Sequence, residues 1–192
     1  MNSFYSEAEL QEMGFKYVGR NVKISKKTSI YGISNISIDD NTRIDDFALL
    51  SGTIIIGKHV HIAAYTGLFA GSAGIEIEDF CGISAHCCVY AASDDYSGKA
   101  LTNPTIPDKY KMVTEKKVIF MKHALVGAGS IVLPGVTIGE GASFGSMSLI
   151  TKDAKPWTMY VGAPAKELRP RERKLLQMEE KLNEEEKRIC KA

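Results

Sequence analysis

Between Val126 and Asp153 the chain reads VGAGSIVLPGVTIGEGASFGSMSLITKD. Its apolar residues follow neither the 3.6-residue stripe of an amphipathic helix nor the alternation of an ordinary strand. Val126, Val132, Ile138, Phe144 and Ile150 instead fall six residues apart. Carried back to Phe120, the register holds for six unbroken hexads, with a small or β-branched residue at each fifth position: Ala124, Ser130, Val136, Ala142, Ser148 and Ala154. Large first positions and small fifth positions are what a narrow core needs if both point inward.

The same pattern recurs upstream with interruptions. Val18, Ile24 and Ile30 lead three hexads; after a two-residue slip, Ile38, Ile44, Leu50, Ile56, Ile62 and Leu68 lead six more; after a three-residue slip come Ile77, Ile83 and Val89. A hexad is long enough for one short strand and a corner. Three corners close a triangle, so about 18 residues make one coil of a parallel β-solenoid. The roughly 18 hexads then predict about six coils, a prism on the order of 30 Å tall at ~4.8 Å per coil. Slips can loop out at corners without disturbing the inward columns.

Three segments leave the period. In SEAELQEMG (residues 6–14), Ser6 and Glu9 form a capping box and Gly14 is a stop signal, which predicts a short helix over the open end of the first coil. Residues 93–117, SDDYSGKALTNPTIPDKYKMVTEKK, are rich in Asp, Lys, Gly and Pro. They read as an ordered functional loop anchored by Ile106, Tyr110 and Met112. In residues 166–192, Leu168, Leu175, Leu182 and Ile189 lie seven apart amid mixed charge, which predicts an amphipathic helix packed on the prism or on a neighbouring subunit. The expected organisation is therefore a cap at 1–17, a solenoid at 18–165 and a C-terminal helix at 166–192.

Composition narrows the function classes. With 24 basic and 23 acidic residues the formal charge is +1, which gives no electrostatic case for nucleic acid or a membrane as partner. MNSFYSEAEL has no signal-peptide character, and the longest uncharged stretch is too short to span a bilayer. The four cysteines (Cys81, Cys87, Cys88 and Cys190) form no C-x-x-C pair and read as reduced thiols of a cytoplasmic protein. No metal is expected.

The hexad, together with YVGAPAKELR (Tyr160–Arg169), resembles the hexapeptide-repeat acyltransferases over residues 18–169. The resemblance implies a left-handed parallel β-helix, against the usual right-handed crossover rule. It also implies a homotrimer that binds an acyl-coenzyme A such as acetyl-CoA between its prisms. By that likeness, Ala128, Ser146, Thr151 and Lys152 would lie along the coenzyme, and Lys166 and Arg169 are suited to its phosphates. Trp157 could stack on adenine or cap the last coil.

Acyl transfer needs a nucleophile held against a thioester carbonyl, a destination for its proton and donors for the oxyanion. His86 and His123 flank the long loop at the fourth positions of their hexads, and either could serve as the base of a sugar O-acetyltransferase. Sugar O-acetyltransferases of this family carry a histidine-containing segment at the start of the loop; here the chain has Asp94 and Asp95 in YAASDDYSG. That segment, with MNSFYSEAEL, RIDDFALLSG and HIAAYTGL, resembles the N-acyltransferases of dTDP-4-amino-4,6-dideoxyglucose. The resemblance implies that Ser84 and Asp94 hold the sugar amine. A non-catalytic scaffold is the third reading.

Overall fold

The computed structural model describes residues 3–189, the side chain of Ile189 excepted. Cys190 and residues 191–192 of the expected C-terminal segment lie outside the described residues. The hexads close into a three-sided parallel β-solenoid of about seven turns, consistent with a left-handed β-helix. First positions stack in direct register on every face. Face 1 carries Ile24, Ile44, Ile62, Ile83, Val126, Phe144 and Tyr160. Face 2 carries Ile30, Leu50, Leu68, Val89, Val132 and Ile150. Face 3 carries Val18, Ile38, Ile56, Ile77, Phe120 and Ile138, with Ala154 bridged to Ile138. The solenoid thus gains one rung over the six coils expected, because Tyr160, off the six-residue spacing, stacks its ring on Phe144 at 4.9 Å.

Apart from the two outermost leaders, Val18 and Ile30, these side chains are buried. Burying each large one is worth about 1.5–3 kcal/mol. Polar fifth positions survive in this core because their hydroxyls bond to corner carbonyls: Thr42 to Gly57 at 2.8 Å, Thr66 to Ser84 at 2.9 Å, Ser130 to Gly127 at 2.7 Å and Ser148 to Gly145 at 2.7 Å.

The corners follow a backbone rule that the hexad does not announce. Corner I joins face 1 to face 2, and its fourth-position residues Phe47, Tyr65, His86 and Met147 all have φ near +60°. Corner III joins face 3 to face 1 and places Asn41, His59, Phe80, His123 and Trp157 in the same left-handed conformation. That conformation costs an L residue about 1–2 kcal/mol. The rings offset the cost by stacking from coil to coil: Phe47 on Tyr65 on His86, and His59 on Phe80 on His123, with centroids 4.7–5.2 Å apart. Corner II, between faces 2 and 3, takes both register slips and the whole of loop 93–117, so every large departure from the period leaves along one edge.

Both ends are closed. Helix α1 (Glu7–Glu12) has the predicted capping box, with Ser6 and Glu9 each bonding the other's backbone, and buries Leu10. The C-terminal segment differs from expectation. Residues 166–170 form a strand, Lys166–Pro170, antiparallel to Thr158–Val161, and helix α2 spans only Leu175–Ile189. The last coil has an open edge of backbone N–H and C=O groups. Pairing them satisfies more of the chain than another helical turn would, and Pro170 stops that strand.

Helix α2 then docks on the prism at corner III. Arg171 leads into it, donating to the carbonyls of His123 at 2.9 Å and Gly141 at 3.0 Å. Glu179 accepts from Lys122 and pairs with His123 Nε2 at 2.7 Å, and Glu186 meets His59 at 3.2 Å. Burial pushes the Glu179 carboxyl up, but the hydrogen bonds from Lys122 and His123 outweigh it and hold the group below its ordinary 4.5. A carboxyl depressed on docking stabilises the docked state above pH 4.5 and loses that contribution as pH falls through its lowered value. We expect Glu179→Gln to loosen α2 by about 1–3 kcal/mol at pH 7. The difference from wild type should shrink below pH 4.5. Amide hydrogen exchange of α2 across that range reads both effects, and a pH-independent difference would assign the docking to other contacts.

Candidate active site

Ser84 stands at corner I, immediately after the strand Gly82–Ile83. Its N–H donates to the Val126 carbonyl at 2.9 Å, its own carbonyl accepts from Thr66, and it is half-buried. One coil below is Ala63 and one coil above is Gly127, so the serine hydroxyl lies on a wall almost free of side chains. Gly127 is required there: a Cβ would come within 2.6 Å of the Ser146 amide nitrogen. Ala128 and the exposed Ser146 belong to this same corner, as does His86, whose exposed ring lies flat on Tyr65 at 4.8 Å and 3°.

Asp94 stands at corner II, where loop 93–117 leaves the prism. The loop neck is a short antiparallel pair, Ala92–Ser93 with Thr114–Glu115. Just past it, Asp94 Oδ2 accepts the Asn103 N–H at 3.2 Å. Asp94 helps to line an open cleft of about 730 Å³ with Asn103, Pro104, Asp108, Lys111, Val113 and Glu115. Of the apolar anchors expected of the loop, Ile106 is partly buried, but Tyr110 and Met112 are both more than half exposed and do not hold it. Polar contacts do instead: Asp95 accepts the amides of Ser97, Lys99 and Ala100, Asn103 accepts from Thr105, and Lys111 pairs with Asp108.

The structure therefore spreads the four proposed reaction residues over three corners. Ser84 and His86 share one, Asp94 occupies the next, and His123 the third. His123 is only 7% exposed, lies against Phe80 and Trp157, and is bonded to Glu179. Its polar edge is used by α2, a role that its position in FMKHAL did not suggest because the left-handed corner column is invisible in a hexad count. Trp157 is likewise buried, over Gly141, where a Cβ would lie 2.5 Å from the indole; it caps the last coil and is not open for stacking on adenine.

The expected coenzyme positions also divide. Ala128 and Ser146 flank Ser84's corner, while Thr151, Lys152 and Lys166 meet in a second cleft of about 390 Å³ together with Tyr160 and Pro164. Arg169 is exposed on the closing strand and lines neither cleft. Three basic groups, Lys152, Lys155 and Lys166, face this second cleft, although Lys155 is paired with Glu167 at 2.6 Å. That donor set fits a phosphorylated ligand. Cys81 and Cys87 are buried, and burial pushes the Cys81 thiol up to about 12, so neither is a nucleophile. Among the described residues no cluster of His, Cys, Asp and Glu is arranged to hold a metal ion, and no helix is long and apolar enough to cross a membrane.

No family model matches the chain. A dTDP-4-amino-4,6-dideoxy-D-glucose acyltransferase of Escherichia coli is 43% identical over 180 residues, covering 92% of this chain and 93% of its own. Among solved structures, AntD, an N-acyltransferase from Bacillus cereus in complex with dTDP and 3-hydroxybutyryl-CoA, superposes with a TM-score of 0.95 at 50% identity, over 97% of this chain and 100% of that one. The S84C variant of AntD, solved with dTDP-4-amino-4,6-dideoxyglucose and coenzyme A, gives a TM-score of 0.94 at the same identity, covering 96% of this chain and 99% of its own. With likeness of this degree along almost the whole of both chains, the protein belongs to the family of dTDP-4-amino-4,6-dideoxyglucose acyltransferases, built on the hexapeptide repeat.

Proposed function

We propose that the protein is an N-acyltransferase moving an acetyl or short acyl group from coenzyme A to the 4-amino group of a dTDP-4-amino-4,6-dideoxy sugar. The observation that carries this reading is the carboxylate of Asp94 at the mouth of the loop, in a chain alike over its full length to AntD, whose solved variants include S84A and D94N. The neutral amine attacks the thioester carbonyl, a C–N bond forms, and the tetrahedral intermediate collapses by breaking the C–S bond. The proton lost by nitrogen passes to the departing thiolate, directly or through Asp94. Such a nucleophile needs orientation and a modest proton acceptor, which a serine hydroxyl and a carboxylate supply.

Transfer to a hydroxyl would demand a stronger base. His123 is engaged by α2, so His86, exposed at Ser84's corner, is the one candidate for that second reading.

The separation of Ser84 from Asp94 supports a homotrimer with sites between subunits. Extended chain from Cys87 to Ala91 at ~3.3 Å per residue sets the two corners roughly 13 Å apart. One nitrogen bonds both groups only if they come from different copies of the chain. At corner I, Phe47, Tyr65 and Met147 are 48%, 53% and 72% exposed, an apolar column suited to a second copy. We place the enzyme in the cytoplasm, where coenzyme A thioesters and nucleotide sugars are available, in the supply of modified sugars for cell-surface polysaccharide such as O-antigen.

Asp94→Asn and Ser84→Ala should each lower kcat/KM for the aminosugar by about 10²-fold or more with the thermal midpoint unchanged. Equal losses of folding and activity would make both residues structural. His86→Ala should cost less than about threefold, whereas a 10²-fold loss would favour hydroxyl transfer. Unfolding and reassembling the two inactive variants together should restore up to about a quarter of wild-type activity, the share of interfaces that pair an intact Ser84 with an intact Asp94. A mixture that stays inactive while assembling normally would place both groups in one chain.

A further inference from the structure

Asp95 takes no part in the reaction scheme above, yet it is the most heavily bonded side chain in the long loop. Its Oδ1 accepts the Ser97 N–H at 2.9 Å, and its Oδ2 accepts those of Lys99 at 2.8 Å and Ala100 at 3.1 Å. The Ser97 hydroxyl, then its amide and those of Lys99 and Ala100, hold the carboxyl below its ordinary range. Three amides converging on one carboxylate fold residues 95–100 into a compact turn directly after Asp94. On the far side of that turn the chain returns at Asn103, which has φ +77° and uses its own side chain to fix the amide and hydroxyl of Thr105. The Asn103 N–H is the group that grips Asp94 Oδ2.

Asp94 is thus held from both sides. Its backbone enters the turn that Asp95 organises, and one carboxylate oxygen is bonded to the residue where that turn ends. Oδ2 is committed to Asn103, which leaves Oδ1 to meet a ligand. The segment has little apolar anchorage: Tyr96 is 94% exposed and Leu101 is 56% exposed. Hydrogen bonding to Asp95 therefore dominates what fixes its shape.

We propose that Asp95 is a positioning residue for the acyl acceptor: by gathering three backbone amides it sets the turn that presents the Asp94 carboxylate, through Asn103, to the sugar amine. The proposal rests on the role given to Asp94 above. Asparagine cannot reproduce Asp95, because it offers one acceptor oxygen in place of two: whichever way its amide is turned, either the Ser97 amide or the Lys99 and Ala100 amides meet a donor. The effect is expected on the acceptor side, since the turn lines neither the cleft of Thr151, Lys152 and Lys166 nor the corner of Ala128 and Ser146 in its own chain.

The test is a double-substitution cycle read by calorimetric affinity for dTDP-4-amino-4,6-dideoxyglucose on the enzyme saturated with coenzyme A, with kcat/KM for the single variants. Asp95→Asn should weaken aminosugar binding about tenfold in the wild-type background and by less than about twofold in an Asp94→Asn background. Coenzyme A affinity should stay unchanged in all variants, which also reports that each is folded. Equal weakening in both backgrounds, or none in wild type, overturns the proposal. If Asp94→Asn itself leaves aminosugar affinity and turnover intact, the reading of Asp94 fails instead, and the two failures are distinguished. Exchange of the Ser97 amide, or of the Lys99 and Ala100 amides together, should rise about tenfold in Asp95→Asn, and full protection of all three would likewise overturn it.

Discussion

Coil-to-coil hydrogen bonding in one fixed register is the constraint on which everything else in this molecule depends. Strand residues bond the neighbours of their equivalents one turn away: the Arg43 N–H donates to the Val60 carbonyl, beside its partner His61, and the His61 N–H to that of Cys81, beside its partner Gly82. Once that register is set, a side chain can change only within its column. Inward columns must stay apolar or carry a hydroxyl that finds a corner carbonyl, as Thr42 and Ser130 do. Outward columns are free, and insertions can leave only where a turn already breaks the ladder. Loop 93–117 lies at corner II for that reason.

The corners extend the same logic to the backbone. A residue at φ near +60° is costly alone, but stacked every turn it becomes a continuous ladder of rings. His59, Phe80 and His123 form one such ladder, and α2 attaches to its histidines through Glu186 and Glu179. The solenoid thereby gains a docking strip for a helix without altering its core. The remaining two corners are left uncovered by α2, and Ser84 and Asp94, the residues to which we assign the chemistry, stand there.

The inward columns were readable in the chain because burial imposes a period: every leader from Val18 to Ile150 occupies the register its spacing predicts. Ser6 and Glu9 were readable because capping is local. What spacing missed was of two kinds. The strand Lys166–Pro170 answers the open edge of the last coil, a demand made by the assembled prism and absent from its own sequence, KELRP. His86 and His123 hold the same fourth position of their hexads, but only the left-handed corner reveals that one ring lies exposed over Tyr65 while the other is enclosed under a helix. The distance between Ser84 and Asp94 was hidden too, since ten residues of sequence do not say how many corners they turn.

A rigid prism is a poor tool for closing around a substrate, because its faces cannot hinge without breaking the ladder. Two large ligands can be handled by such a body if they approach along its edges and meet between neighbouring copies. In the reaction we propose, the prism supplies fixed walls, such as the bare surface of Ala63, Ser84 and Gly127, and the loop supplies the carboxylate to be aimed. Aiming a carboxylate from a polar loop requires that the loop be shaped by something other than a core. In this chain that shape comes from amides converging on Asp95 and from Asn103, so the stiffness of the scaffold and the placement of Asp94 have separate physical origins and can vary independently.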